Sequence, residues 1–292
     1  MKPRVVILTL LAMIAFASNS LLCRAALRDT RIDAATFTFV RIFSGAVALW
    51  LILKLQRSTS AGGGNWISAL TLFIYAAAFS FAYKGLPAGT GALLLFGAVQ
   101  ATMIFWGFRK GERLDAIQIV GLAVAIAGLM VLVFPGLFAP PLIASTLMLI
   151  AGVAWGVYSL RGKVRGASGT DGGLAFDATA ATAGNFLRAV PFAALTSILM
   201  LREMHLDSLG IIYAIISGAI TSGLGYVIWY AVLPNLKAAS AATVQLSVPV
   251  LAATGGILLL NEALTLRYLL TSIAVLGGIF LVIIERKSRT AV

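Results

Sequence analysis

The sequence predicts an all-α polytopic membrane protein: ten transmembrane helices in two inverted five-helix repeats. Three observations predict it. The 292 residues are 60% hydrophobic and 11% charged, with a mean hydropathy of +1.00, whereas soluble domains carry roughly 25% charged residues. Uncharged apolar runs of about twenty residues, the length a helix needs to cross the hydrocarbon core, recur along the whole chain. A stretch of the first half also returns 150 residues later.

Twenty-two Lys and Arg with ten Asp and Glu cannot coat a water-soluble globule of this size. That excludes a soluble enzyme, a secreted disulfide scaffold and a nucleic-acid binder. One cysteine, Cys23, and one histidine, His205, are too few for a disulfide or a Cys/His metal cluster, so no metal and no cofactor are expected.

The elements follow in order. Span one, 5–23, comes after Lys2 and Arg4. This start resembles a signal peptide cleaved near Ala15-Phe16-Ala17, but a counterpart segment later in the chain favours a retained helix. A lipoprotein reading of Cys23 fails on the bulk of Leu22. Span two is 34–53, and span three, 66–83, follows a Gly-rich break from Ser58 to Asn65. Spans four and five are 88–108 and 116–134, and span six is 141–160. Arg161 to Asp177, rich in Gly and small polar residues, reads as a mobile loop. The remaining spans are 178–201, 208–232, 238–260 and 268–284. The short alternating strands of a membrane barrel are absent from this pattern.

With both termini cytoplasmic, the inner segments hold fourteen Lys and Arg and the outer ones six, leaving Arg41 and Arg188 within spans. That bias fits the positive-inside rule, and Trp50, Trp66 and Trp106 fall near the same inner face. The net charge of +12 is then a topology signal and needs no acidic ligand.

Leu86-Pro-Ala-Gly-Thr-Gly-Ala92 matches Leu236-Lys-Ala-Ala-Ser-Ala-Ala242, and the offset of 150 also pairs Glu112 with Glu262 and Gly128 with Gly278. The halves are 1–135 and 141–284, followed by a basic cytoplasmic tail, 285–292. Five helices per half is odd, so the second half enters the membrane inverted. Such inverted repeats are common in secondary transporters, with the substrate at the midplane between them. A channel would favour charge rings or a repeated filter, and an intramembrane enzyme a nucleophile with its base; neither is visible.

The chain resembles the drug/metabolite transporter superfamily, in its ten-helix EamA-type branch. The resemblance rests on Trp155-Gly156, Ala238 to Ala242, Pro249, Leu260-Asn-Glu262-Ala-Leu264 and Gly277-Gly278, echoed by Gly111-Glu-Arg-Leu114 and Gly128. Phe16-Ala17 and Val99 depart from the family's frequent Trp-Gly and proline. The resemblance implies export of aromatic and other neutral amino acids across the inner (plasma) membrane, with lipophilic cations or drugs as the alternative cargo. No nucleic-acid partner is expected, and a monomer suffices.

Several residues are candidates for the substrate site. Tyr75, Phe79 and Tyr83 follow i, i+4, i+8 spacing and share one helix face. Tyr226 and Trp229 with Tyr230 lie in span eight, and Trp155 with Tyr158 in span six. Each alone could be packing; together they read as a cavity wall for planar or apolar ligands. Asn19, Gln100 and Gln245 place amides in hydrocarbon, where a polar group needs a partner. Pro249 removes the hydrogen bond to the Gln245 carbonyl and reads as a hinge together with Gly152 and Gly156. The cavity is expected to be lined by spans one, three, four, six, eight and nine. Arg41 and Arg188 read as snorkelling toward helix ends, Gly121, Ala125, Gly128, Ala274 and Gly278 as packing faces, and Glu112 and Glu262 as helix caps. With every carboxylate at span ends or in loops, no proton-exchanging residue is expected within the bilayer.

Overall fold

A computed structural model of the chain describes residues 3–55, 63–111, 115–136, 139–168, 178–233, 236 and 244–283, without the side chains of 163–168 and 178. The described residues form ten helices and no strand. They are α1 (Pro3–Asp29), α2 (Ala34–Leu55), α3 (Trp66–Tyr83), α4 (Ala88–Arg109) and α5 (Ala116–Val133). The second half holds α6 (Leu142–Ser168), α7 (Ala178–Leu199), α8 (Ser208–Val232), α9 (Ser247–Leu260) and α10 (Leu266–Ile283). Eight are long and apolar enough to cross a membrane, and α9 is apolar over its 14 residues. α7 is 22 residues long but carries Asn185, Arg188 and three threonines.

Capping residues set several boundaries, because the first N–H groups of a helix have no partner within it. Asp33 accepts from Thr36 N at the start of α2, Asn65 from Ser68 N before α3, and Asp207 from Gly210 N before α8. Asp115 and Gln118 form a reciprocal capping box on α5. Asn261, at φ 51°, ends α9 in the left-handed conformation.

Four expectations change. α1 continues to Asp29, because Arg24 and Arg28 find partners near its end and need no break in the helix. α6 continues to Ser168, so Arg161 is helical instead of opening a loop; residues 169–177 lie outside the described part. Pro249 sits in the first turn of α9, where its missing N–H would have no helical partner anyway. The turn comes at Leu246, three residues before it. Fourth, α8 is not uniform: residues Ser217–Leu224 form a π-helical segment between two α-helical parts. Ala238 to Ala242, Glu112, Leu114 and the tail 285–292 lie outside the described residues.

The outer surface is Leu, Ile, Val and Phe, with Leu258, Leu259 and Ile273 widely exposed, as expected when lipid is the surrounding solvent. The interior is built from Ala, Gly and aromatic side chains. Without a hydrophobic drive inside lipid, helices associate through close packing, and small residues permit it. Gly121 and Gly278 face each other between α5 and α10; a Cβ on Gly121 would lie 2.6 Å from the Gly278 carbonyl oxygen. Helical Thr and Ser hydroxyls, such as those of Thr9, Thr38 and Thr102, bond carbonyls four residues back. The extensive helix contacts join first-half to second-half helices: α2 with α7 and the π segment, α3 and α4 with α6, α1 and α4 with α9, and α5 with α10.

Candidate functional site

Aromatic side chains from four helices meet at the bundle centre. Trp155 on α6 lies 4.9 Å from Tyr75 on α3 and 4.8 Å from Tyr226 on α8, ring centroid to centroid. Tyr158 stacks on Trp155 at 5.5 Å, and Phe16 on α1 points edge-on at Trp155, Tyr226 and Trp229. Edge-on and tilted contacts suit the ring quadrupoles. They leave a small cavity of about 10 Å³, roughly the room of one water molecule. Asn19, Tyr75, Phe79, Trp155 and Tyr226 line it, with Phe16, Ser20, Leu95 and Phe96.

A polar chain crosses this apolar centre. Asn19 Oδ1 accepts from Ser217 Oγ at 2.7 Å and from Thr221 Oγ1 at 3.3 Å, both in the π segment. Asn19 Nδ2 donates to Tyr75 Oη at 3.2 Å, and Arg41 Nη2 donates to the same oxygen at 3.0 Å. Arg41 also donates to Ser222 Oγ at 3.3 Å, and its guanidinium carbon lies 5.2 Å and 4.9 Å from the ring centroids of Tyr75 and Phe79. Arg41 therefore does not snorkel: it is 2% exposed, held inward by hydroxyls and ring faces that periodicity alone did not place beside it. Gly218 makes this possible, since a Cβ there would strike the Arg41 carbonyl and the Ser44 hydroxyl.

Polar clusters lie toward both ends of the bundle. Opposite the termini, Arg24 Nε lies 3.0 Å from Glu262 Oε1, Glu262 Oε2 accepts from Ala88 N at 2.8 Å, and Arg24 Nη1 donates to the carbonyls of Tyr83 and Lys84. Glu262 thus caps α4 and not the helix that follows it, because α9 brings it to that N-terminus. At the other end Arg161 donates to Ser68 and Asn65, Asn65 N donates to Asn185, and Asn185 donates to Tyr158 Oη at 3.3 Å. Arg188, midway along α7, donates to the carbonyls of Gly63 and Gly184.

The other candidates stand apart from the cavity wall. Tyr83 is fully buried against Phe79 and donates to Ala88 O at the α3–α4 turn. Trp229 packs behind Phe16, and Gln100 is buried with Nε2 unpartnered. Gln245 is buried, and among the described residues of span nine none lines this cavity. The small α9 residues instead pack against α1 and α4. Gly152 and Gly156 lie where α6 crosses α4; Cβ atoms there would come within 2.5 Å of Leu95 O and 2.9 Å of Thr102 Cβ. Sequence reading missed Phe16, Ser20, Leu95, Phe96 and the three π-segment hydroxyls as site residues. The cluster Ser217, Thr221, Ser222 in an apolar span was the available signal for the hydroxyls. Among the described residues, no group of three or more His, Cys, Asp and Glu could hold a metal ion.

A helical membrane protein with a polar and aromatic centre between its two halves has the form of a transport protein. The model of the EamA-like transporter family matches residues 3–134 and again 142–284. The chain belongs to the EamA-like transporter family. It is 52% identical over 290 residues to an uncharacterized protein of Pseudomonas aeruginosa, covering 99% of this chain and 97% of that one. It is 24% identical over 296 residues to a "probable amino-acid metabolite efflux pump" of Escherichia coli, covering 98% and 97%. A solved crystal structure superposes at a TM-score of 0.64 and 15% identity, covering 97% of this chain and 98% of its own, which is a likeness of fold.

Proposed function

We propose that the protein exports small metabolites, aromatic and other neutral amino acids foremost, across the inner membrane by alternating access. The observation that carries this reading is the central cavity. Its wall is aromatic, its polar groups are few and converge, and polar contacts lie on either side of it. Such a composition suits a ligand with a planar or apolar body and a small number of polar atoms. The name of the Escherichia coli relative supports the cargo class.

The two halves, 1–135 and 141–284, act as inverted repeats with both termini cytoplasmic. The bounds of α10 lie 150 residues beyond those of α5, and helices of one half pack mainly on those of the other. Trp50, Trp66 and Trp106 are exposed near the end that holds the N-terminus, with Lys54 over Trp50 and Lys110 over Trp106, as an interfacial belt on the cytoplasmic side requires. Asn19, Tyr75, Phe79, Trp155 and Tyr226 hold the substrate, Tyr158, Trp229, Tyr83, Gln100 and Gln245 line its route, and Gly152, Gly156 and Pro249 are where helices flex. No carboxylate lines the cavity, so export runs down the substrate's own gradient.

Proteoliposome uptake of a panel of labelled amino acids, with a lipophilic cation for contrast, tests the reading. Saturable uptake of aromatic amino acids that Trp155→Ala abolishes supports it; saturable uptake of the cation alone overturns it.

A further inference from the structure

Arg41 is a charge at the bundle centre that the fold leaves uncompensated. A buried guanidinium is costly unless paired, and intramembrane charges mark functional sites. Among the described residues Arg41 takes part in no ion pair. Two hydroxyls and two ring faces surround it, and Nη1 is buried with no hydrogen-bond partner.

Its neighbours offer hydrogens as well. Tyr75 Oη accepts from both Arg41 Nη2 and Asn19 Nδ2, which leaves its own hydrogen to donate. Tyr226 Oη, buried beside it, completes no hydrogen bond. Both tyrosines line the cavity, and Arg41 lies just outside the lining, against the rings of Tyr75 and Phe79 and bonded to the Tyr75 hydroxyl. A cation ringed by donors and lacking a carboxylate of its own is matched by an incoming anion. The guanidinium's planar array of N–H groups fits a carboxylate, whose two oxygens accept together.

We propose that Arg41 is the anion-receiving residue of the transport site: the cargo carries a carboxylate, bound by Arg41 Nη1 with help from the Tyr75 and Tyr226 hydroxyls. The remainder of the cargo lies against Trp155 and Phe16. Lipophilic cations, the alternative cargo, are repelled by the same charge. The proposal rests on the central cavity being the substrate site, and it names the chemistry that site demands.

The test compares acids with their carboxamides, which keep the shape and remove the charge. Full-length protein in nanodiscs at pH 7 is titrated with three pairs, each followed by thermal stabilisation: L-phenylalanine and its amide, L-leucine and its amide, 3-phenylpropionate and 3-phenylpropanamide. The expected result is acid binding ten- to a hundredfold tighter than amide in at least one pair. That preference falls to near unity in Arg41→Gln and partly returns in Arg41→Lys. Discrimination in the leucine or phenylpropionate pair, with none for phenylalanine, upholds Arg41 and removes aromatic amino acids as cargo. If no acid is preferred over its amide in the wild type, or if a folded Arg41→Gln keeps the wild-type ratio, the proposal is overturned. The wild-type comparison decides even where the variant does not fold.

Discussion

Glu262→Gln is the sharpest perturbation of the closure opposite the termini. Its carboxylate joins three helices at once: Arg24 of α1 at 3.0 Å, the first N–H of α4 at 2.8 Å, and α9, whose end it follows. Side-chain exposures of 13% and 9% place the pair in a mostly desolvated setting. Breaking a buried pair costs about 3–5 kcal/mol. Here Arg24 keeps its bonds to the Tyr83 and Lys84 carbonyls, and the amide oxygen can still accept from Ala88. The loss is therefore on the order of 1.5–2.5 kcal/mol. In the proposed alternating-access cycle these contacts break when that end opens, so the open population is expected to rise roughly 10- to 60-fold. Cys23 is a built-in reporter: fully buried and one residue from Arg24. Its modification by a hydrophilic maleimide in nanodiscs should accelerate by the same factor, whereas exposed Glu203→Gln leaves the rate unchanged. A Glu262→Gln protein that stays folded and labels within twofold of wild type would refute the view of this cluster as a gate.

Gly218→Ala should destabilise the protein by about 2 kcal/mol or more, because the methyl group meets the Arg41 carbonyl; thermal unfolding in detergent measures it. Asp115→Ala removes the bond that its carboxylate accepts from Gln118 N, leaving the residue-115 N–H still bonded to Gln118 Oε1, and should cost about 1 kcal/mol, again as a lowered melting temperature. Burial pushes the Asp33 carboxyl up, but hydrogen bonds from the Thr36 hydroxyl and from the backbone N–H groups of Thr36, His205 and Ala35 outweigh it and hold the group below its usual range. Its stabilisation is present above the unfolded value near 3.9 and is lost as pH falls through the lower folded value. Wild type should therefore lose more stability below about pH 4 than Asp33→Asn does, in a melting series across pH. Single cysteines at Arg109 and Arg202 in a Cys23→Ser background should label from opposite faces, Arg109 from the cytoplasm; outside labelling of Arg109 overturns the orientation.

The sequence by itself determined the class of solvent, the helical architecture and nearly every helix start. Apolar run length and the near absence of charge dictate helices in lipid, and capping residues such as Asp33, Asn65, Asp115 and Asp207 act within three residues of themselves. It also marked the aromatic faces of α3, α6 and α8, since one helix face follows from spacing. Tertiary structure decided which faces meet. Arg41 is a snorkelling residue or a buried centre depending on Ser222 and Tyr75, which lie 181 and 34 residues away. Glu262 caps a helix that starts 174 residues before it. The π segment presents Ser217 and Thr221 to Asn19 and Ser222 to Arg41, contacts made with the other half of the chain. Local pattern determines what a helix can bury; only the packing of one half on the other determines which buried polar groups find each other.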